Sequence, residues 1–295
     1  MTVAATLAPE SSLYLALDIG GTKLTAGVVD DTGRVLVRDR IPTPPRDVWT
    51  AIERLVLRIL AASPGEIGGV GIGCGGPINN VAGTVAPLHI PALVDFPLAQ
   101  AMQDLTTLPT VVDTDAKAFT LAEAWCGAGR SEMNLMGLLV GASINSGVLS
   151  RGRMISGRLG NAGGIGHVVV ESEGRECDCG GVGCLEAYAS GKAIEAETSR
   201  PPHRAPLGVI DRTGLLVGRA IATAAAMIDF RVVVIGGSVA LGFGEPFFNA
   251  AREELAVRAK LAHLQGIEIR RAQLGELAPL VGAAALARRH ALGVL

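Results

Sequence analysis

Residues Leu13–Val29 read LYLALDIGGTKLTAGVV, which is two apolar runs joined by a short segment that contains two glycines. The first run, LYLALDI, has the length and composition of a buried strand, GGTK has the composition of a tight turn, and LTAGVV has that of a second strand. The next run, RVLVRDRI from Arg34, alternates apolar and polar residues as a third strand does. The start of the chain therefore predicts a three-stranded meander.

Helical and strand patterns alternate after this meander. A helix is predicted from Val48, with Asp47 as its N-cap, because apolar residues recur there with helical spacing. Further strands are predicted at GGVGIGCGGP, PTVVDTD, LMGLLVGASI, GVLSRGRMI and RVVVIGG, and further helices at PLAQAMQDL, KAFTLAEAWCGAG, AIATAAAMIDF, PFFNAAREELAVRAKLA and PLVGAAALARRHAL, the last of which starts at Pro279. This order is typical of layered α/β proteins.

Composition narrows the class of protein. The chain has 295 residues, of which 49% are hydrophobic, and this is enough for two domains with sizeable cores. The net charge of −2 and the lack of a basic run disfavour a nucleic-acid partner. No apolar run approaches the roughly 20 residues of a membrane span, and the N-terminal MTVAATLAPESS lacks the pattern of a secretory signal. We therefore expect a cytoplasmic protein with no membrane partner.

Four potential metal ligands lie close together in the second half of the chain: His167, Cys177, Cys179 and Cys184. Cytoplasmic cysteines stay reduced, and one imidazole with three thiolates is a suitable donor set for tetrahedral zinc. The alternative is three core cysteines and an unrelated histidine, which the acidic residues Glu176 and Asp178, interspersed with these ligands, disfavour. We predict a structural zinc site. A zinc hydrolase is disfavoured, because four protein ligands leave no position for a catalytic water.

Six sequence blocks occur in an order that resembles one protein family. They are DIGGTK, GIGCGGP, TDAKAFTLAEAWCGAG, IGH, CDCGGVGCLEAYASG and VVIGGSVA, and the resemblance runs from about Leu13 to Ala287. The family is the ROK family, which comprises bacterial sugar kinases and related repressors with an actin/hexokinase-like fold. Most of the repressors carry an N-terminal helix-turn-helix. Because only twelve residues precede Leu13 here, we expect the kinase type.

The resemblance implies a two-domain α/β architecture of the actin-like ATPase, or ribonuclease H-like, type, with the active site in the cleft between the domains. We expect an N-terminal domain over residues 1–119, joined by the final helix at 279–292. A larger C-terminal domain over residues 120–278 would carry the zinc loop. Members of the family are often homodimers, and closure of the cleft would exclude water from the reaction.

The resemblance also assigns residues to phosphoryl transfer from ATP with Mg²⁺. Asp115 matches the Asp of the family's N-D-x-N block, the base that takes the proton from the attacking sugar hydroxyl. Considered alone, an Asp at a helix start is an ordinary N-cap, and one residue could do both. Asp18 would face the magnesium ion through water. The phosphate-binding residues that the resemblance implies are Asp18, Gly20, Gly21, Thr22, Lys23, Gly141, Gly236 and Gly237.

For the sugar, the resemblance implies contacts from Gly76, Thr114, Asp115, His167 and Glu186. His167 would bind zinc through one side of its ring and lie against the sugar, and Glu186 would accept a hydrogen bond from a sugar hydroxyl. Zinc would then act on the site indirectly, by fixing the loop that carries these two residues. The implied acceptor is a hexose or an N-acetylhexosamine.

Residues around the base and the histidine depart from the family pattern. Gly164 replaces the Glu of E-I-G-H, so one acceptor for hydrogen bonds from the sugar is absent. Thr114 and Lys117 replace the two Asn residues that flank the base. We expect Lys117 to pair with Asp115 or Asp113 and so to lower the pKa of the base.

The second phosphate block departs furthest, since residues 141–147 read GASINSG where the family reads roughly G-T-G-I-G-G-G. Ala142 removes a hydroxyl, and Ser143, Asn145 and Ser146 replace glycines at positions where positive φ or close backbone approach is expected. Two function classes therefore stay open. One is an ATP-dependent sugar kinase, supported by the retained base. The other is a sugar-binding or regulatory relative with impaired catalysis, supported by the departures. We favour the kinase.

Overall fold

The computed structural model of the protein describes residues 12–294. These residues form two compact units, of which one comprises the chain up to Asp113 together with the chain from Pro279, and the other comprises Thr114–Ala278. All of the N-terminal MTVAATLAPESS except its last serine lies outside the described residues, so what we expect of that stretch stays a prediction. Within residues 12–294, no helix combines the length and the apolar character that a membrane span requires.

The described chain contains short strands and helices in alternation. The strands are β1 (Leu13–Ile19), β2 (Lys23–Val29), β3 (Val35–Pro42), β4 (Ile67–Cys74), β5 (Ile78–Asn79), β6 (Thr84–Val85), β7 (Thr110–Thr114), β8 (Leu135–Val140), β9 (Ile144–Ser150), β10 (Arg153–Met154), β11 (Val232–Gly236) and β12 (Glu268–Arg271). The α-helices are α1 (Val48–Ala61), α2 (Leu98–Thr106), α3 (Asp115–Cys126), α4 (Glu186–Ala189), α5 (Gly191–Thr198), α6 (Leu207–Ile228), α7 (Ser238–Phe243), α8 (Glu245–Arg258) and α9 (Ala278–Ala291).

Each unit is built around a five-stranded sheet, and the two sheets have the same strand order. The order is β3-β2-β1-β4-β7 in the first unit and β10-β9-β8-β11-β12 in the second. In both sheets the first three strands form an antiparallel meander, and the fourth strand pairs in parallel with the first. The carboxyl ends of the two parallel strands therefore meet at one edge of each sheet, where open α/β sheets bind ligands.

The closing helix α9 packs on the sheet of the first unit. A Cβ atom at Gly71 in β4 would collide with the backbone oxygen of Ala283, and a Cβ at Gly27 in β2 would lie 3.0 Å from the Leu280 side chain. Glycine at these two strand positions lets the helix approach the sheet closely. The final helix thus completes the core of the unit in which the chain begins.

Helix α3 packs on β8 and β9 in the second unit because two glycines face it. Gly137 and Gly147 are partners in the register of these strands. A Cβ at either position would collide with Thr120 of α3, which is fully buried, and a Cβ at Gly147 would lie 2.8 Å from the Cα of Lys117. This close approach fixes the first turn of α3, where Asp115 lies, against the sheet.

Some local predictions were wrong. GVLSRGRMI is not one strand, because β9 ends and β10 begins on either side of a turn in which Arg151 and Gly152 have left-handed backbone, with φ of 50° and 73°. The strand β12 was not predicted, since EIRR is short and mostly charged. Asp47 does precede α1, but its φ is 54° and its side chain makes no capping hydrogen bond.

Candidate active site

The four predicted metal ligands come together in the second unit. One donor atom from each of His167, Cys177, Cys179 and Cys184 lies within 4.8 Å of all the others. The Cys179 and Cys184 sulfurs are 3.8 Å apart, and the Nδ1 atom of His167 is 3.8 Å from the Cys177 sulfur. A tetrahedral zinc ion with Zn–S bonds of about 2.3 Å would set its sulfur ligands about 3.8 Å apart. The donor set and its spacing therefore fit zinc.

Backbone hydrogen bonds shape the loop around these ligands. The N–H of Cys177 donates to the carbonyl of Gly181 at 2.8 Å, and the N–H of Gly183 donates to the carbonyl of Arg175 at 2.8 Å. Gly183 has a φ of 78°, and a Cβ there would collide with the carbonyl oxygen of Glu171. Glycine is thus required at this position for the loop to close.

Glu186 lies in the first turn after the metal loop and reaches the second phosphate block. Its Oε2 atom accepts a hydrogen bond of 2.7 Å from the backbone N–H of Ile144. Burial raises the pKa of Glu186 to about 7, while the Ile144 hydrogen bond and the nearby Lys192 act in the opposite direction. At least one carboxylate oxygen is therefore engaged with the protein backbone, a contact that the sequence did not predict.

Asp115 is the first residue of α3 and directly follows β7. Its Oδ1 atom accepts a hydrogen bond of 2.7 Å from the N–H of Ala116. Burial raises the pKa of the Asp115 carboxyl, and the hydrogen bond from Ala116 opposes that shift. The N-cap of α3 is Thr114, whose hydroxyl oxygen accepts from the N–H of Lys117 at 3.4 Å. The capping role that the sequence allowed for Asp115 thus belongs to Thr114.

Lys117 does not lower the pKa of the base as predicted. Its side chain is fully buried, and its ammonium group donates to the carbonyl oxygens of Gly160, at 2.5 Å, and Ser156, at 3.4 Å. The pKa of Asp115 is raised by burial rather than lowered by a neighbouring cation. Lys117 therefore connects the first turn of α3 to the loop that leads to His167.

The carboxyl ends of β8 and β11 bring two of the predicted phosphate-binding glycines close together. Gly237 has a φ of 96°, and a Cβ there would collide with the carbonyl oxygen of Val140. The space beside Gly141 is bounded by Ser238, whose Oγ lies 3.8 Å from a Cβ placed on that glycine. Gly236 is the last residue of β11 and is buried. Glycine at position 237 is thus required for the close approach of the two strand ends.

The GASINSG segment has an ordinary backbone conformation, although its sequence departs from the family pattern. The N–H of Gly141 donates to the carbonyl of Ser143 at 3.1 Å, which closes a tight turn, and β9 begins at Ile144. Neither Ser143, Asn145 nor Ser146 is among the residues with positive φ. The positive φ expected at these positions is therefore not found, because most of the block is a strand.

The other predicted phosphate-binding residues lie in the first unit, in the turn between β1 and β2. The N–H of Gly20 donates to the carbonyl of Lys23 at 3.1 Å, and Gly21, Thr22 and Lys23 are exposed. A Cβ at Gly21 would lie 2.7 Å from the Cβ of His89, so glycine is required there for close packing rather than for positive φ.

Two further predicted residues flank this turn in the first unit. Asp18 is half-buried in β1, one residue before the strand ends. Gly76 follows the carboxyl end of β4, the strand that pairs in parallel with β1, and its carbonyl accepts from the N–H of Leu88 at 3.4 Å. Both residues therefore lie at the edge of the sheet where the predicted phosphate-binding turn is found.

Gly164, the position at which the family pattern has Glu, faces open space. A Cβ placed there meets no atom within 4 Å, and its φ of −69° is one that any residue adopts. The same residue lines a cavity of about 240 Å³ with mostly apolar walls, which include Val148, Ile155 and Met227. A Cβ at this position would thus meet no steric obstacle.

The structure also shows a buried carboxylate that sequence reasoning missed. Glu123 is fully buried in α3, and its oxygens accept from the backbone N–H groups of Ala128, Gln273 and Leu274 at 2.8 to 3.2 Å. It holds the chain after β12 against α3. Its two partners near residue 273 are about 150 positions away, so no local pattern could have predicted the contact.

Comparison with known proteins agrees with this architecture. An N-acetylmannosamine kinase of Pasteurella multocida (strain Pm70) is 31% identical over 286 residues, covering 92% of this chain and 94% of that protein. The crystal structure of a ROK hexokinase from Thermus thermophilus has a TM-score of 0.85 at 32% identity and covers 95% of this chain and 99% of its own. A ROK family glucokinase from Streptomyces griseus was solved in complex with glucose and AMPPNP. It has a TM-score of 0.79 at 27% identity, and the match covers 95% of this chain and 100% of the glucokinase.

These matches decide the fold and the family. The α/β fold of the actin-like ATPase type that the sequence blocks implied is confirmed. The ROK family profile matches residues 14–290. Since this match spans nearly the whole chain and the similar proteins align along nearly their full lengths, the chain belongs to the ROK family.

Proposed function

We propose that this ROK-family chain is an ATP-dependent sugar kinase, which transfers the γ-phosphate of ATP to a hydroxyl of a hexose or an N-acetylhexosamine. The observation that carries the proposal is the retained carboxyl of Asp115, held at the start of α3 with a pKa that burial raises. The kinase names of the similar proteins support a sugar acceptor. The AMPPNP bound to the Streptomyces griseus glucokinase supports ATP as the donor.

Asp115 would act as the general base. A carboxylate with a raised pKa binds a proton more strongly near neutral pH, and this makes it a better acceptor for the proton of the attacking hydroxyl. The hydroxyl oxygen forms a bond to the γ-phosphorus, the bond from that phosphorus to the bridging oxygen of ADP breaks, and the proton moves to Asp115. The hydrogen bond from Ala116 would hold the carboxyl in place during this step.

Two groups of backbone amides and small residues would bind the nucleotide phosphates. One is the turn after β1, with Gly20, Gly21, Thr22 and Lys23, and the other is the pair of strand ends at Gly141 and Gly236–Gly237. Magnesium bound with the nucleotide would neutralise phosphate charge, and Asp18 is the residue that we expect to face it through water. The absence of left-handed residues from 142–146 supports a working second phosphate block.

The metal site would position the sugar-binding residues. Nδ1 of His167 lies 3.8 Å from the Cys177 sulfur, so the opposite side of the ring would face the acceptor. Zinc would fix the orientation of this ring and of the chain that leads to Glu186. Thr114 and Gly76 are the remaining residues that we expect to contact the sugar. Because four protein ligands complete the coordination of zinc, its role would be structural.

A sugar-binding or regulatory protein with impaired catalysis is the second candidate function. Gly164 favours it, because the carboxylate of the family pattern is replaced by open space. Thr114 has a shorter reach than the Asn it replaces, and its hydroxyl already accepts a hydrogen bond from the N–H of Lys117. We place this candidate second because the base is retained and the GASINSG backbone is unstrained.

We also propose, from the family resemblance, that the protein is a cytoplasmic homodimer. Light scattering of the protein in solution measures whether it is a dimer.

A phosphoryl-transfer assay tests the proposal. Zinc-loaded protein is incubated with magnesium and ATP, GTP or polyphosphate across hexoses and N-acetylhexosamines, beside Asp115→Asn and the matched control Asp211→Asn. Asp211 is exposed on α6. We expect turnover with at least one sugar, a loss of at least about 10²-fold in Asp115→Asn, and no change in the control. No turnover by folded wild-type protein with any pair of substrates would overturn the kinase proposal and favour the regulatory candidate.

A further inference from the structure

The segment that follows the last metal ligand holds the second phosphate block at two points. The backbone N–H of Ile144 donates to Glu186 at 2.7 Å, and the backbone N–H of Gly191 donates to the carbonyl of Gly141 at 2.7 Å. A Cβ placed on Gly191 would lie 3.1 Å from that carbonyl and 3.4 Å from the Cα of Ala142. The turn that precedes β9 is thus held between the beginning of α4 and the beginning of α5.

The Glu186 side chain and the residue that it packs against each lie close to a metal ligand in the sequence. Glu186 is two residues after Cys184, with fully buried Leu185 between them. The carboxylate also packs against Gly166, where a Cβ would lie 2.8 Å from Oε2 of Glu186 and would collide with the carbonyl oxygen of Ile144. His167, another metal ligand, is the next residue after Gly166.

This arrangement forms a closed ring. It runs from the metal ligand His167 through Gly166 to the Glu186 carboxylate, and from there through Leu185 to the metal ligand Cys184. A metal ion bound to both His167 and Cys184 would close the ring and would fix the distance between Gly166 and Glu186. Since only glycine fits between Ile144 and Glu186, the carboxylate has little freedom once the ring is closed.

We propose that Glu186 is a positioning residue that couples the metal site to the nucleotide, because it holds the N–H of Ile144 and thereby the Gly141–Ile144 turn in the conformation that receives phosphate. Zinc binding would then raise nucleotide affinity, in addition to ordering the sugar-binding loop. The inference rests on the proposed function, since it takes this turn as part of the nucleotide site. Coupling of this kind is reciprocal, so nucleotide would also tighten zinc binding.

The experiment measures AMPPNP affinity by titration calorimetry in the presence of magnesium and without sugar. Zinc-loaded protein is compared with protein treated with a chelator, which is removed by gel filtration before magnesium is added. We expect the zinc-loaded wild type to bind AMPPNP about tenfold more tightly than the metal-free form. In Glu186→Leu, that ratio should fall to about one, because the residue that couples the two sites is gone.

A conservative variant separates positioning from a purely structural role. In Glu186→Gln, the side-chain amide oxygen still accepts from the N–H of Ile144, so nucleotide affinity and most of its zinc dependence should be retained. The acceptor KM is measured separately, since a sugar contact of Glu186 would be lost in both variants. Nucleotide affinity that falls equally in Glu186→Gln and Glu186→Leu would overturn the proposal.

A second variant keeps the test decisive if the metal-free protein unfolds. Gly166→Ala places a methyl group against the Glu186 carboxylate in zinc-loaded protein, and AMPPNP affinity should fall by about tenfold while the zinc content stays unchanged. The matched control is Gly208→Ala in the first turn of α6, where a Cβ meets no atom within 4 Å. Unchanged AMPPNP affinity in Gly166→Ala and Glu186→Leu would overturn the inference.

The outcomes for the two proposals are distinguishable. If zinc-loaded wild type phosphorylates a sugar while Glu186→Leu binds AMPPNP with the same affinity and the same zinc dependence, the coupling is wrong and the kinase stands. If zinc-loaded wild type binds no nucleotide and phosphorylates no sugar, both proposals fail.

Discussion

The ammonium group of Lys117 donates a hydrogen bond to the carbonyl oxygen of Gly160, although no part of the lysine reaches solvent. A buried lysine is costly unless its charge is well compensated. Here the side chain runs from the helix that starts with Asp115 to the loop that precedes His167. The family pattern has Asn at this position, so this contact depends on a residue in which the chain departs from that pattern. The contact connects the helix that carries the base to the loop before His167.

Replacement of Lys117 by Met should destabilise the protein. The substitution keeps most of the side-chain volume but leaves the buried carbonyl of Gly160 without this donor, so we expect the free energy of unfolding to fall by about 1–3 kcal/mol. Urea denaturation of zinc-loaded protein measures the change. Lys260→Met is the control, because Lys260 is exposed and its ammonium group donates to the carbonyl of Ala256, four residues earlier on the same stretch of chain. A loss in Lys117→Met no larger than in this control would contradict the role of the contact.

Gly164→Glu should raise kcat/KM for the phosphorylation of a hexose that lacks an N-acetyl group. The Cβ of the added side chain extends into open space from ordinary backbone. Its carboxylate would then be an acceptor for a hydrogen bond from a sugar hydroxyl. One such bond corresponds to about 1 kcal/mol, or about fivefold in kcat/KM. Steady-state kinetics with glucose and N-acetylmannosamine measure the change for each acceptor.

The neighbouring glycine provides the steric control for this variant. Gly163 has a φ of 111°, and a Cβ there would collide with the carbonyl oxygen of Ser146. We therefore expect Gly163→Ala to lower the free energy of unfolding by about 1–3 kcal/mol or more. Gly164→Glu should change the free energy of unfolding by less than about 0.5 kcal/mol. A strongly destabilised Gly164→Glu would show that the space beside this residue is not open.

Cys177→Ser should remove the bound metal. Zinc held by three thiolates and one imidazole loses a strong ligand in this variant, and a serine hydroxyl does not replace a thiolate. We expect about one zinc ion per wild-type chain and much less in the variant, measured by elemental analysis after gel filtration. Cys126→Ser, outside the cluster, should retain the wild-type content. Equal zinc in Cys177→Ser and wild type would show that these residues do not form the metal site.

Local patterns predicted the parts of the fold that depend on neighbours in sequence. LYLALDI and LTAGVV formed the expected strands, and the close spacing of three cysteines was enough to indicate a metal site. Contacts between distant residues could not be predicted. Glu186 and Ile144 are 42 positions apart, and Lys117 and Gly160 are 43 apart. A charged side chain such as Lys117 gives no sign in sequence that it will be buried, so we expected it to lower the pKa of the base by pairing with Asp115 or Asp113.

The raised pKa of Asp115 predicts where activity is lost at low pH. The base is functional only when deprotonated, and burial raises its pKa above the ordinary value for Asp of about 3.9. As pH falls, activity should therefore be lost through a pKa above that ordinary value, and kcat/KM should be constant above it until other groups titrate. The measurement is kcat/KM against pH at saturating ATP, with circular dichroism at each pH to confirm folding. An ordinary Asp is still about half ionised at pH 4. Full activity down to about that pH would have one of two explanations. Either the Asp115 carboxyl is not the group that accepts the proton, or bound nucleotide and sugar lower its pKa again. Titration of the carboxyl in free protein, by difference spectra against Asp115→Asn, separates these two explanations.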